Sequence, residues 1–520
     1  MPWGIFALIG RCDCKPRSLH IVLRVNLALA MALALSATSY SQELAHGDVE
    51  VRPLDFPHLE SMGLEGEAWK LAVPENREKA DSRLIKIVFA RLKSTAENPG
   101  PPLVYLAGGP GDSASGMIAS ADAVSQFRPF LELGDVIFLD QRGTGRSEPS
   151  LVYPVNTPLP KDLLASEKNL REYLLKVATA GGEHFRAQGV DLSGYTMAQN
   201  ADDLEDIRIA LGADKLNLLG FSAGTQLALA AVRRHGESLA NVIVCGVEGL
   251  HQSRKFPVAM DTQYRKLALL AADDPGVGLS PDEHWDLLVR VMDKLEKEPM
   301  SVTVRDPLTG ENIELSIGKF FLQMIMRFDI GDRRDMIVFP RLLTSIDQGD
   351  PSMLQWFVQR RIGFFRQVSI MMLVMKAASG VSPERKAMIA TQAEQSPFGD
   401  IGNFPLYDEV GEELGTPDLG ESYRAPLVTN VRTLFLTGTL DWNTPPYQAE
   451  EIRWGFTNAA HITVRNAGHE QILPRPDIQK AMLEFLQRND VGDQEYQAPP
   501  LRFVPVQGDN PQPTHPAVGG

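Results

Sequence analysis

A serine hydroxyl is a weak nucleophile at neutral pH and becomes a strong one when a neighbouring base takes its proton. Ser222 stands in Gly220-Phe221-Ser222-Ala223-Gly224, after the apolar run 216–219 and before an Ala/Leu-rich segment at helical spacing. The pattern predicts strand, sharp turn and helix, with the hydroxyl above the C-terminal edge of a parallel sheet and a helix N-terminus beneath it. Small residues are needed two positions to either side, where a Cβ would clash with the adjoining strand and helix. The base and its orienting carboxylate are expected at His469 and Asp441, each just past an apolar strand, at 461–464 and 431–436. His469 is the only one of ten histidines in a Gly-flanked loop after a late core strand; His461, which begins that strand, reads as structural. Ser222, His469 and Asp441 would together support acyl transfer through a covalent acyl-enzyme.

Attack on an acyl carbon creates an oxyanion that needs pre-aimed donors. The backbone N–H of Ala223 is one candidate. The other is expected from Ala107-Gly108-Gly109-Pro110-Gly111, at Gly109 first and Gly108 as its alternative. That glycine-rich turn follows the buried-type strand 103–106, and 135–140 is a second continuous apolar strand ending in Gln141-Arg142-Gly143-Thr144-Gly145-Arg146-Ser147. Strands alternate with helical segments from residue 103 to about 249, the mark of a parallel sheet with crossovers. The alternation then stops for some 175 residues of mainly helical pattern and resumes at 431. Within that interval 302–304 and 313–317 alternate as a β-hairpin, and 364–378 reads as a methionine-rich helix. Those methionines suit helix packing, or an adaptable apolar wall over a cleft.

The chain order Ser222, Asp441, His469 is that of the α/β-hydrolase fold. The expected class is therefore α/β: a mostly parallel sheet with helices on both faces and a large, mainly helical cap inserted after the strand that follows the nucleophile helix. The expected division is a signal peptide at 1–41, core at 42–250, cap at 251–425, core at 426–490 and a Pro/Gly-rich tail at 491–520.

The motifs Leu106-Ala107-Gly108-Gly109-Pro110-Gly111, Asp140-Gln141-Arg142-Gly143-Thr144-Gly145-Arg146-Ser147, Gly220-Phe221-Ser222-Ala223-Gly224, Gly438…Asp441…Thr444-Pro445 and Gly468-His469 occur in that order. Together they resemble the proline iminopeptidase / tripeptidyl aminopeptidase family of serine peptidases, over roughly residues 65 to 485. The resemblance implies an aminopeptidase whose insertion caps the active site and whose carboxylates hold the substrate's α-ammonium. Glu248, at the end of the strand after the nucleophile helix, is the candidate substrate-binding carboxylate; the alternative is a glutamate that stabilises its loop. Asp140 and Arg142 are expected to tie core loops together rather than touch substrate.

A formal net charge of −15 argues against a general nucleic-acid binder. Arg11, Lys15, Arg17 and Arg24 precede an apolar run at 25–35, and Ser39-Tyr40-Ser41 has the form of a cleavage site, so the chain is expected to be exported, periplasmic or secreted. The run is too short for a stable span in the mature chain. Cys12 and Cys14 fall in that segment, leaving Cys245 as a core residue and no disulfide. No metal or cofactor is expected. The partner is a peptide or a small acyl substrate, the alternatives to a peptidase being an esterase or amidase on the same scaffold, or a non-catalytic binding module.

Overall fold

The sheet that carries the chemistry forms because its central strands are short apolar runs, rich in Leu, Val, Ile and Phe, buried on both faces. In the computed structural model, which describes residues 44–329, 331–404 and 407–506, the ten strands are β1 (Val49–Pro53), β2 (Gly66–Pro74), β3 (Leu84–Leu92), β4 (Leu103–Leu106), β5 (Val136–Asp140), β6 (Leu216–Phe221), β7 (Leu239–Cys245), β8 (Thr433–Gly438), β9 (Ala459–Arg465) and β10 (Gln494–Gln497). Their spatial order is β1-β2-β3-β5-β4-β6-β7-β8-β9-β10. The first three run antiparallel, and every pairing from β5 to β10 is parallel. This is the mostly parallel sheet that the alternating pattern predicts.

Side chains divide between the two faces with a period of two. On β4, Val104 and Leu106 join one apolar cluster, packed under helices Met197–Ala210 and Ala223–His235, while Leu103 and Tyr105 join another with Phe127, Ile478 and Phe485. Cys245 lies in the second cluster as a buried free thiol. Fully burying one such Leu, Val or Phe is worth about 1.5–3 kcal/mol, so helices cover both faces.

Between β7 and β8 lies a mainly helical region with its own apolar core. Helix Pro281–Lys297 opens with a capping box, Ser280 and Glu283 satisfying each other's backbone N–H groups. Strands Met300–Arg305 and Asn312–Ile317 form the expected hairpin, with Val302 opposite Leu315 and Val304 opposite Ile313. Three expectations shift. Residues 364–366 are 3-10 helix and Gln367–Ser369 is a strand paired with Val152–Pro154, so the methionine-rich helix spans only Ile370–Ser379. The core segment before β6 also feeds the helical region: Leu163, Leu164 and Leu170 pack in its apolar core, and Gly318 N–H donates to Leu164 O. The start of the expected tail is ordered against the body, with β10 pairing β9 and Leu501 and Phe503 buried beside the helical region. Apolar residues spaced among prolines carry that last contact, a pattern that composition alone reads as loose. The expected signal peptide and residues 507–520 of the tail lie outside the described residues.

Candidate active site

β6 delivers the chain to Ser222, whose φ of 53° and ψ of −123° are costly for a residue with a Cβ. The turn is held by Ser222 N–H donating to Cys245 O at 2.9 Å and by Thr225, whose hydroxyl donates to Ser222 O at 2.6 Å. The two outer glycines are sterically required. A Cβ on Gly220 would stand 2.6 Å from Gly224 O, and one on Gly224 would overlap Leu106 O. Helix Ala223–His235 therefore crosses β4 at backbone contact, which aims its N-terminus at the sheet edge.

Asp441 and His469 meet there. The loop after β8 turns so that Asp441 is fully buried, its Oδ1 accepting from Thr444 N–H at 2.9 Å and its Oδ2 from Thr444 Oγ1 at 2.6 Å. His469 Nδ1 donates to the same Oδ2 at 2.7 Å. Burial works to lower the His469 pKa, and the charge and hydrogen bond of Asp441 outweigh it, so the net shift is upward from 6.5. The imidazole ring sits 4.8 Å from the Phe221 ring, centroid to centroid, which brings it alongside the serine turn. Among the described residues no hydrogen bond joins the Ser222 hydroxyl to His469. Such contacts are often long before substrate arrives and tighten in the reacting complex.

The oxyanion candidates surround the same hydroxyl. A Cβ on Gly108 would stand 3.0 Å from Ser222 Cβ, so this glycine is what lets the β4 loop approach the nucleophile. Gly109 follows with φ of 100°, where a Cβ would meet Gly111 N at 2.8 Å. The N–H groups of Gly108, Gly109 and Ala223 donate no hydrogen bond among the described residues. Gly108 and Ala223 thus flank the nucleophile, with Gly109 next in the same loop.

Of the two expectations for Glu248, its surroundings match the glutamate that stabilises its loop. It is buried, and its two oxygens accept from Lys255 Nζ at 3.0 Å and from Lys376 Nζ. Burial would raise its pKa, but the two ammonium groups hold it down at about 2. With two ammonium groups already on this buried carboxylate, a third from a substrate would meet net positive charge; Glu248 ties its loop to helix Ile370–Ser379. Asp140 and Arg142 are loop ties too. Asp140 accepts from Ser113 Oγ, from Ser115 N–H and Oγ, and from Arg146 N–H. His461 is a core residue held between Glu450 and Thr437.

Sequence reasoning passed over Gly246. Its φ is 65°, and a Cβ there would lie 2.8 Å from His469 Cε1 and 2.9 Å from Thr444 Oγ1. It is the floor under the imidazole, and nothing local in the sequence marks it. Gly246→Ala is expected to displace the ring and lower kcat/KM by about 10²-fold. The check is steady-state kinetics beside an unchanged far-UV spectrum, and wild-type kinetics would contradict it. Gly331, from the helical region, accepts from His469 N–H at 2.7 Å, so that region reaches the histidine loop directly.

Residues 101–275 match the family model described as alpha/beta hydrolase fold. The chain has the α/β-hydrolase fold. Residues 416–497, which hold Asp441 and His469, match the model described as TAP-like protein. Serine protease Hip1 of Mycobacterium tuberculosis is 31% identical over 187 residues, 34% of this chain and 35% of that protein. The tripeptidyl aminopeptidase of Streptomyces coelicolor is 32% identical over 167 residues, 30% of each. The chain thus spans about a third of the length of the curated relatives it matches. Among solved structures, an esterase from Thermogutta terrifontis aligns over 81% of this chain and 98% of that chain, with a TM-score of 0.34 and 16% identity.

Proposed function

We propose that the protein is a serine hydrolase that cleaves peptides near a free N-terminus through an acyl-enzyme. The observation that carries the reading is the buried Asp441–His469 pair set against a strained Ser222, with the glycine loop approaching it at Gly108. His469 Nε2 takes the Ser222 proton as Oγ attacks the scissile carbonyl. Asp441 holds the proton on Nδ1 and balances the imidazolium. The oxyanion rests on Ala223 N–H and on the glycine loop at Gly108 and Gly109. His469 returns its proton to the leaving amine, and water, deprotonated by the same imidazole, releases the acyl group and restores Ser222.

The peptidase reading draws on the TAP-like match and on relatives named serine protease and tripeptidyl aminopeptidase. The pairing of Glu248 with two lysines favours a second reading, an esterase or amidase for small acyl groups, because it removes the candidate ammonium anchor. Peptidyl anilides with free and blocked amines separate them. Hydrolysis of the free-amine series alone supports the peptidase, and activity confined to short nitrophenyl esters would sink it. The export reading rests on the basic and apolar pattern before residue 42 and is checked by fractionating cells that express the full chain.

A pH dependence follows from His469, which accepts a proton only when neutral. Its folded pKa lies above 6.5, so kcat/KM is expected to fall with unit slope as pH drops through a value above 6.5. The check is a pH–rate profile on an uncharged ester, and a limb centred well below 6.5 would contradict the assignment.

A further inference from the structure

The charged groups around Glu248 are not used by the reaction. Two lysines share this one carboxylate, and Glu248 and Lys376 are each only 4% exposed. Arg327 and Arg385 lie close enough to feel the Glu248 charge, and Arg327 Nε and Arg385 Nη2 have no hydrogen-bond partner among the described residues. Arg385 is 8% exposed, with its guanidinium 4.0 Å from the Phe256 ring. Glu451, the other carboxylate that reaches Arg385, is held by His251 and Gln252. Arg254 nearby is matched by Asp408, which Lys386 shares. Around Glu248, then, buried positive charge exceeds negative.

That excess costs energy. Burial pulls the Lys255 pKa down, Glu248 pulls it back up, and repulsion from Lys376 helps to leave it at about 8. One carboxylate balances only one of two ammonium charges, so the pair of lysines leaves a net buried positive charge that a further anion would stabilise. The backbone of Glu248 is tied to that of the nucleophile, and the Lys255 charge is felt at His469. Glu248 N–H donates to Thr225 Oγ1 at 2.8 Å, and that hydroxyl donates to Ser222 O at 2.6 Å. Gly402 fits between Lys255 Cβ and the ring of Trp442, the residue after Asp441, a Cβ there lying 3.4 Å from each.

We propose that Lys255 and Lys376, with the Glu248 they share, form a subsite beside the Ser222–His469 centre that takes a carboxylate of the substrate. The inference rests on the serine-hydrolase reading of that centre and names a substrate class for it: acidic peptides or acyl groups, the reverse of the ammonium that Glu248 alone would attract. The carboxylate could be an aspartyl or glutamyl side chain or a peptide C-terminus.

The experiment uses the purified full chain. One arm compares Glu- with Gln-containing tripeptidyl anilides, whose C-termini are blocked. The other compares neutral tetrapeptides ending in a free carboxylate with their amides. The expected result is a kcat/KM about tenfold or more higher for the carboxylate form in one arm, falling to below about threefold in Lys255→Met or Lys376→Met. Equal rates in both arms of an active enzyme overturn the subsite and leave the hydrolase reading intact. A third measurement needs no turnover: glutarate should raise the wild-type Tm by about 2 °C or more and leave that of Lys255→Met unmoved. If nothing is hydrolysed, or if a variant does not fold, the glutarate shift of the wild type decides, its absence overturning the subsite.

Discussion

Asp441→Asn is expected to lower kcat/KM by about 10⁴-fold while the protein stays folded. The size of the effect comes from hydrogen-bond direction rather than from lost charge alone. Asp441 Oδ1 accepts a backbone N–H from Thr444, a donor that cannot reverse, so the amide oxygen of asparagine must take that position. The NH₂ group is then forced into the Oδ2 position, facing His469 Nδ1. Two donors cannot face each other, so Nδ1 becomes an acceptor and the ring proton moves to Nε2. The nitrogen that should accept the Ser222 proton is now blocked. The Thr444 hydroxyl, which donates to Oδ2, can rotate to accept from the new NH₂ and so stabilises the wrong arrangement.

The same variant removes the negative charge that raises the His469 pKa, leaving burial to lower it. The acid limb of the pH profile should therefore move to lower pH even as the plateau collapses. Observing both together separates a tautomer defect from a simple loss of folding. A loss below about tenfold would contradict the assignment of Asp441. Ser222→Ala, which removes the nucleophile itself, should abolish both turnover and fluorophosphonate labelling.

Much of this arrangement is legible in the sequence because the parts that make it are local. Gly220 and Gly224 announce the elbow, since a strand-to-helix turn with backbone contact to β4 admits no Cβ. The apolar runs at 103–106, 216–219 and 431–436 are short and bounded by turn residues, so the loops that carry Gly108, Ser222 and Asp441 could be placed at strand ends. What escaped depends on contacts between segments far apart in the chain. Lys376 sits 128 residues from Glu248, on a helix whose periodicity says only that it is buried. A glutamate at a strand end carries no mark of the ammonium groups that will meet it, so Glu248 read as available. Gly246 looks like any turn glycine until His469 is folded over it. The tail misread has the same origin: Leu501 and Phe503 become core residues only because the helical region supplies their partners.

Arg142 is the case where local sequence and long-range structure agree, and it carries the largest expected stability effect. Its side chain is fully buried. Nε and Nη2 donate to Asp203 at 2.8 and 2.6 Å, Nη1 donates to the carbonyls of Glu75 and Gly194 at 2.5 and 2.7 Å, and Nη2 also reaches Pro74 O at 3.3 Å. One guanidinium thus joins the end of β2, the segment before helix Met197–Ala210, and that helix itself. Arg142→Met should cost about 3–5 kcal/mol, because it strands a buried carboxylate and three carbonyls at once. Arg77 limits the damage by keeping one bond of 2.7 Å to Asp203. Arg142→Lys should recover only a minor part, since a single ammonium cannot reproduce the planar fork on Asp203 and the two carbonyls. Removing an exposed pair such as Lys93 with Glu65 should leave the denaturant midpoint nearly unchanged. The denaturant midpoint reports all three variants, while activity per fluorophosphonate-labelled Ser222 should hold for whatever fraction of Arg142→Met remains folded. An unchanged midpoint with a raised KM would instead place Arg142 in contact with substrate, against the hydrogen bonds that now account for its donors.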